Sequence, residues 1–153
     1  MARGQRSLLD YALALYLLGA KPGGRPAGPS VVAERLGVSR ATAAVMLRRL
    51  EASGLVVRGP GGGARLTRRG VGVLARHAWK VGLLETLLSR AGLGAAEAAR
   101  VARRLAPHLD DSEAAALCEA LGHPDRCPHG SRIPHPCRGE ESPEGSCALR
   151  FTY

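Results

Sequence analysis

Asparagine is absent from the 153 residues, glutamine and isoleucine occur once each, and only five residues are aromatic. Few amides, and 20 arginines against two lysines, read as the bias of a G+C-rich genome, of the kind expected where thermolabile side chains are avoided. That bias selects no function. No apolar run reaches the ~18 residues of a membrane span. Residues 8–20 resemble a short signal-peptide core behind Arg3 and Arg6, but Asp10 interrupts the run and Lys21-Pro22-Gly23-Gly24 offers no cleavage pattern. The chain therefore reads as cytoplasmic, with no membrane partner. Four cysteines in that compartment point to metal or redox chemistry rather than structural disulfides. No Ser/His/Asp or Cys/His pairing has a scaffold, which argues against an enzyme.

What is present is positive charge, unevenly placed. Residues 1–90 carry 15 Lys and Arg against four acids, whereas residues 91–153 carry seven Arg against nine acids. The formal +9 of the whole chain thus belongs to its first 90 residues and suggests a polyanionic partner. The length allows one medium or two small folded units.

Leu9, Ala12, Leu13 and Tyr16 fall at helical spacing, which predicts an amphipathic helix over residues 7–19. A Gly/Pro loop follows. Ser30 is read as the N-cap of a short helix with Val32 and Leu36 inward, and Ser39 as the cap of a third helix running to about Ser53. In that helix Ala43, Met46, Leu47 and Leu50 form the inward stripe, and Gly54 stops it. Residues 55–58 and 64–67 read as short strands joined by Gly59-Pro60-Gly61-Gly62-Gly63. Helix, helix, turn, helix and two-stranded ribbon make the order of a winged helix-turn-helix. A long helix from Arg68 to about Ala91 is expected next, then Ala-rich helices over residues 95–105 and 112–121. The fold class is mainly α with a small β-wing, and the expected division is 1–70 for DNA binding, 71–124 for helical dimerisation and 125–153 for a Cys/His/Pro-rich tail. That tail is expected to be irregular, ordered only if something ties it down.

A recognition helix needs an inward apolar stripe and an outward face of small, polar and basic groups that can enter the major groove. The outward positions here are Arg40, Ala41, Thr42, Ala44, Val45, Arg48 and Arg49. Ser39 and Thr42 can hydrogen-bond phosphates or base edges, Ala44 and Val45 can touch thymine methyls, and Arg40 and Arg48 are base readers or phosphate anchors. Arg65 on the wing, with Arg68 and Arg69 after it, would sit against the flanking backbone.

Asp10-Tyr11 through Tyr16-Leu17-Leu18, Val32-Ala33-Glu34-Arg35-Leu36-Gly37-Val38-Ser39, Met46 through Val56, Arg65-Leu66-Thr67-Arg68-Arg69-Gly70, Leu83-Leu84-Glu85-Thr86 and Gly122-His123-Pro124 through Cys127-Pro128-His129-Gly130 together resemble the DtxR/MntR family of metal-dependent transcriptional repressors. The resemblance spans roughly residues 7–134. It implies a homodimer, built by the three helices after the wing, that binds double-stranded DNA at a palindromic operator and represses transcription. Family members with a third, SH3-like domain are longer, and no such domain is expected here. The family places Fe²⁺ or Mn²⁺ between the first helix and the dimerisation helices. Asp10 matches a first-helix ligand and Glu85 a carboxylate on the long helix. The histidine four residues before that carboxylate is Val81 here, and the Cys-or-Glu-x-x-Glu-His signature falls on Arg103-Arg104-Leu105-Ala106-Pro107. The family's Fe/Mn site is therefore expected to be absent, with Asp10 and Glu85 as remnants. Arg103 either lies on the surface or puts its guanidinium where the ion would sit, pairing with Asp10 or Glu85.

The tail offers a second metal reading. Cys127, His129, His135, Cys137 and Cys147 supply thiolates and imidazoles suited to tetrahedral Zn²⁺ or to sulfur-ligated iron. The spacing lacks the paired Cys-x-x-Cys of a zinc ribbon, so a solvated tail and thiol-based redox sensing remain open beside it. His77 is read as a packing or surface histidine, and Trp79 and Lys80 as part of the dimer surface. From a different class, the alternative function is a metal-binding adaptor whose winged helix contacts proteins rather than DNA.

Overall fold

The computed structural model describes residues 6–146 and 149. It contains six α-helices and one two-stranded sheet among the described residues: α1 (Leu8–Leu17), α2 (Pro29–Leu36), α3 (Arg40–Ala52), β1 (Val56–Arg58), β2 (Ala64–Leu66), α4 (Arg68–Arg90), α5 (Ala95–Leu105) and α6 (Asp111–Ala120). The chain divides into two compact units between Val71 and Gly72, within α4.

In the first unit α1 packs on α2 and α3, and α2 on α3. α1 starts at Ser7 through a capping box: the Ser7 hydroxyl accepts the Asp10 N–H while the Asp10 carboxylate accepts the Ser7 N–H. α2 begins two residues earlier than its serine suggests. Gly28 is the N-cap and Pro29 occupies the first turn, because proline needs no hydrogen-bond partner there and its φ is already helical. Val32, Ala33 and Leu36 of α2 and Ala43, Leu47 and Leu50 of α3 are buried. β1 and β2 pair antiparallel, Val56 opposite Leu66 and Arg58 opposite Ala64. The ribbon presents Val56, Ala64 and Leu66 inward and Val57 and Arg65 outward, the two-residue alternation of a strand with one buried face. Its inner edge is tied to the body by Leu66 N–H donating to the Ala20 carbonyl at 2.8 Å and by paired bonds between Ala27 and Ala64.

In the second unit α4 carries the core. Leu74, Ala75, Ala78, Trp79 and the run Val81–Thr86 are buried. Trp79, expected with Lys80 on the dimer surface, is 2% exposed within the single chain, because α6 and the tail cover it. Trp79 and Leu83 pack with Ala114, Cys118 and Leu121 of the α6 region and with Cys127 and Ile133 of the tail. A second cluster joins Val81 and Leu84 to Ala102 and Ala106. The N-terminus of α6 is set by Asp110, whose carboxylate accepts the Glu113 N–H while Glu113 accepts the Asp110 N–H. These bonds to the charged form hold the Asp110 carboxyl below its ordinary range.

The tail is irregular, as expected, but it is docked. Cys127 N–H donates to Ser131, Ile133 N–H to Asp125 and Arg132 N–H to Gly145, so residues 125–146, with no α-helix or strand, still satisfy their backbone locally. Ile133 seats on α4 at Gly82, where an added Cβ would come within 2.6 Å of Ile133 Cγ1. The missing side chain is thus the notch that receives the tail. At midhelix glycine costs about 1 kcal/mol relative to alanine, a cost offset by burying an isoleucine.

Candidate nucleic-acid interface and metal clusters

Ser39 caps α3 by accepting the Thr42 N–H at 3.0 Å, and its hydroxyl lies 2.8 Å from the Thr42 hydroxyl. The Ser39 hydroxyl is therefore held in the cap. Arg40, Ala41, Thr42, Val45, Arg48 and Arg49 are exposed and Ala44 is half-buried, on the side of α3 opposite Ala43, Leu47 and Leu50. Val45 keeps 40% of its surface open, an apolar spot set among arginines. A shallow hollow of about 350 Å³ lies at Ala41, Thr42, Val45, Met46 and Arg49. Arg65 is exposed on β2 and Arg68 at the start of α4. On the wing's other strand, Arg58 is drawn toward Glu51 at 3.9 Å. The first unit thus gathers small, apolar and cationic groups on one exposed helix face, with a cation on the wing.

Asp10 accepts both the backbone N–H and the hydroxyl of Ser7 through one carboxylate oxygen, at 2.7 and 3.0 Å, and lines an open cleft of about 1160 Å³ in the first unit with Thr42 and Arg49.

Two groups of side chains in the second unit are close enough to hold a metal ion. The atoms of each lie within 4.8 Å of one another. The first is Glu85, Cys127 and His129. Glu85 is fully buried on α4, with one carboxylate oxygen 3.4 Å from His129 Nδ1. Burial pushes the Glu85 carboxyl above its ordinary range, while His129 and the Arg103 guanidinium pull it back. Arg103 is half-buried rather than on the open surface, and its charge is felt at Glu85. Cys127 is disulfide-bonded, against the expectation that the cysteines take part in no structural disulfide, and a disulfide sulfur is not the thiolate that binds metal. That leaves one carboxylate and one imidazole, within the field of the Arg103 charge. A divalent ion needs several anionic or imidazole donors, and this donor set does not fit the family's iron or manganese.

The raised Glu85 carboxyl has a definite pH signature. Between the unfolded value near 4.5 and the higher folded value, the folded chain binds more protons than the unfolded one. The contribution of Glu85 to stability is then greatest below the unfolded value and is lost as pH rises through the folded one. Glu85→Gln, which keeps shape and removes the charge, should flatten that fall. Urea midpoints measured in steps upward from pH 4 will show it, and an unchanged slope would mean that Glu85 contributes nothing to it.

The second group is Cys118, His123, His135 and Cys137. Cys118 Sγ lies 3.3 Å from His123 Nδ1 and 3.8 Å from His135 Nδ1. Burial pushes the Cys118 thiol up, the Trp79 indole N–H counteracts this, and Cys137 beside it raises it further. Cys118 and Cys137 are both free thiols. The structure thus divides the tail residues singled out by sequence: His135 and Cys137 join Cys118 and His123, whereas Cys127 and His129 meet Glu85. Cys147 lies outside the described residues. Cys118 and His123 were missed as ligands because α6 reads as a packing helix. The available signal was the Cys-x₄-His spacing across its C-terminus, followed by His-x-Cys.

The comparisons with known proteins agree with this architecture. Residues 67–135 match the family described as iron dependent repressor, metal binding and dimerisation domain, and residues 8–65 match the MarR family. The chain is 41% identical over 131 residues to an uncharacterized HTH-type transcriptional regulator of Aeropyrum pernix, covering 85% of this chain and 73% of the relative. Among solved structures, the hypothetical protein SSo2273 from Sulfolobus solfataricus superposes with a TM-score of 0.76 at 23% identity, over 82% of this chain and 95% of that one, a likeness of fold alone. ScaR with bound Zn²⁺ superposes with a TM-score of 0.71 at 27% identity over 84% of this chain, which spans 60% of ScaR. No helix among the described residues is long and apolar enough to cross a membrane. The relative from Aeropyrum pernix is a transcriptional regulator rather than an enzyme, and the winged helix with its helical second unit places the chain in the iron-dependent repressor family of HTH-type transcriptional regulators.

Proposed function

We propose that the protein represses transcription as a homodimer bound to a palindromic operator in double-stranded DNA, with α3 in the major groove. Residues 1–70 serve as the DNA-binding domain, 71–124 as the dimerisation domain, and 125–153 as a tail that takes zinc or iron. Ser39 positions the start of α3. Arg40, Thr42, Ala44, Val45 and Arg48 face base edges, while Ala41 and Arg49 border them. Arg65 and Arg68 hold flanking phosphates. The observation that carries this reading is the division of α3 into a buried stripe of Ala43, Leu47 and Leu50 and an exposed face with three arginines. A helix built only for packing would not leave that face open and cationic on a domain with so few acids.

The test is binding of the purified protein to promoter duplexes from its own genome and to scrambled duplexes of equal length, across a salt series. Specific binding about 10³-fold or more tighter than nonspecific, with a strong salt dependence, is expected. Weak binding indifferent to sequence would overturn the reading and favour a winged helix used for protein contacts.

A further inference from the structure

We infer that Cys118, His123, His135 and Cys137 form a tetrahedral site for one Zn²⁺, which fastens the tail to the end of α6. This deepens the assignment of a metal to the tail and rests on that reading. It keeps His135 and Cys137, brings in Cys118 and His123 in place of Cys127, His129 and Cys147, and commits to zinc.

The distances fit before any adjustment is made. Zinc bonds of ~2.3 Å to sulfur and ~2.0–2.1 Å to nitrogen, at tetrahedral angles, put a thiolate and an imidazole nitrogen about 3.6 Å apart. The two Cys118 distances, 3.3 and 3.8 Å, bracket that value. A second feature does not depend on these distances. His135 is 3% exposed, turns Nδ1 to the Cys118 sulfur, and has its other ring nitrogen 3.4 Å from the Asp125 carboxylate. Metal-bound histidines commonly have a carboxylate near the outer nitrogen, and the Asp125 carboxylate, exposed at the surface, stands at ion-pair distance in that place.

The backbone converges on the same point. α6 ends at Ala120, and Gly122 and His123 both take left-handed φ values of 76° and 52°. A non-glycine residue rarely adopts that conformation, and here it folds His123 back against Cys118, with His123 N–H donating to the Cys118 carbonyl at 2.9 Å. On the other side, a 3₁₀ turn over Pro136–Arg138 follows His135 and carries Cys137, while Glu140 accepts the His135 N–H. One ligand pair comes from the end of α6 and the other from the tail, so the ion cross-links them. Two sulfurs, two imidazoles and no carboxylate in direct reach form a donor set for zinc rather than manganese or magnesium.

The experiment is zinc content per chain, by elemental analysis of reduced, untagged full-length protein after dialysis against excess Zn²⁺ and removal of loosely held metal. Cobalt substitution reports the geometry. About one zinc per chain is expected, with the tetrahedral bands and thiolate charge transfer of the cobalt form. Cys118→Ser and His135→Ala should lose both, and His129→Ala should keep both. Should the buried variants fail to fold, His123→Ala and Cys137→Ser, at less buried positions, are expected to show the same loss. Asp125→Asn, at an exposed carboxylate outside the four ligands, should keep the site. Metal retained in Cys118→Ser and lost in His129→Ala would overturn the four ligands and leave the tail-metal reading standing. Absence of any metal, or recovery of the reduced-and-reoxidised protein with a Cys118–Cys137 disulfide in place of zinc, would overturn both.

Discussion

Replacing Arg40 and Arg48 together by alanine is expected to weaken operator binding by between about 30-fold and 10⁴-fold, because each arginine that pairs with a base edge is worth about 1–3 kcal/mol. Both side chains are exposed on α3, so folding stability should change by less than about 0.5 kcal/mol. Arg40 opens the helix, where a cation opposes the helix dipole, and its removal can only help the fold. The salt series separates the two roles that arginine can play. If both contact phosphates, the slope of log K against log salt falls by about two units and affinity for all sequences drops alike. If they read bases, the slope changes less and discrimination between operator and scrambled duplex collapses. Unchanged affinity in the double variant would remove α3 from the interface.

The second large effect is on stability. Leu47 is fully buried on α3, in the helix that packs against both α1 and α2. Leu47→Ala should cost about 2–5 kcal/mol, the transfer term plus the cavity that a close-packed neighbourhood fails to close. For a unit of some 70 residues that is a large part of the whole, and the unfolding temperature should fall by roughly 10–30 °C. Leu47→Met, which conserves volume, should cost less than about 1.5 kcal/mol. Circular dichroism melts of the three proteins decide it: equal midpoints would show that α3 is not held by this stripe. DNA affinity of Leu47→Ala should recover on cooling to where the unit is folded, unlike that of the arginine variant.

The first unit was legible in the sequence because its signals are local. Ser39 and Gly54 bound α3 within a residue of the observed Arg40–Ala52, and the Gly-Pro-Gly-Gly-Gly tip between two short runs announces β1 and β2. The α2 start was misplaced because two adjacent signals, Pro29 and Ser30, compete, and proline's fixed φ prevails. The tail is a different case. Its order depends on Ile133 meeting a glycine 51 positions earlier and on Cys118 meeting His135 across 17 positions. No periodicity records such pairings. The same tail explains Trp79: an apolar residue beside Lys80 reads as surface until a strand-free segment arrives to cover it.

The family's metal-binding layout was legible only as a departure. Val81 and Arg103 stand where ligands are expected, and the structure supplies the reason the departure is tolerable. The charge of Arg103, together with His129, draws down the Glu85 carboxyl that burial raises, so a covalently attached cation supplies part of the positive field that an ion would have brought to that carboxylate.

Trp79 is the chain's single tryptophan, and it is packed among Cys118, Cys127 and Ile133, entirely within the second unit. Its intrinsic fluorescence is therefore an unlabelled reporter of one place. Emission should shift to the red when the tail lifts off α4 and stay silent to melting of the winged helix, so that it isolates one unfolding event that a bulk signal would merge with the other.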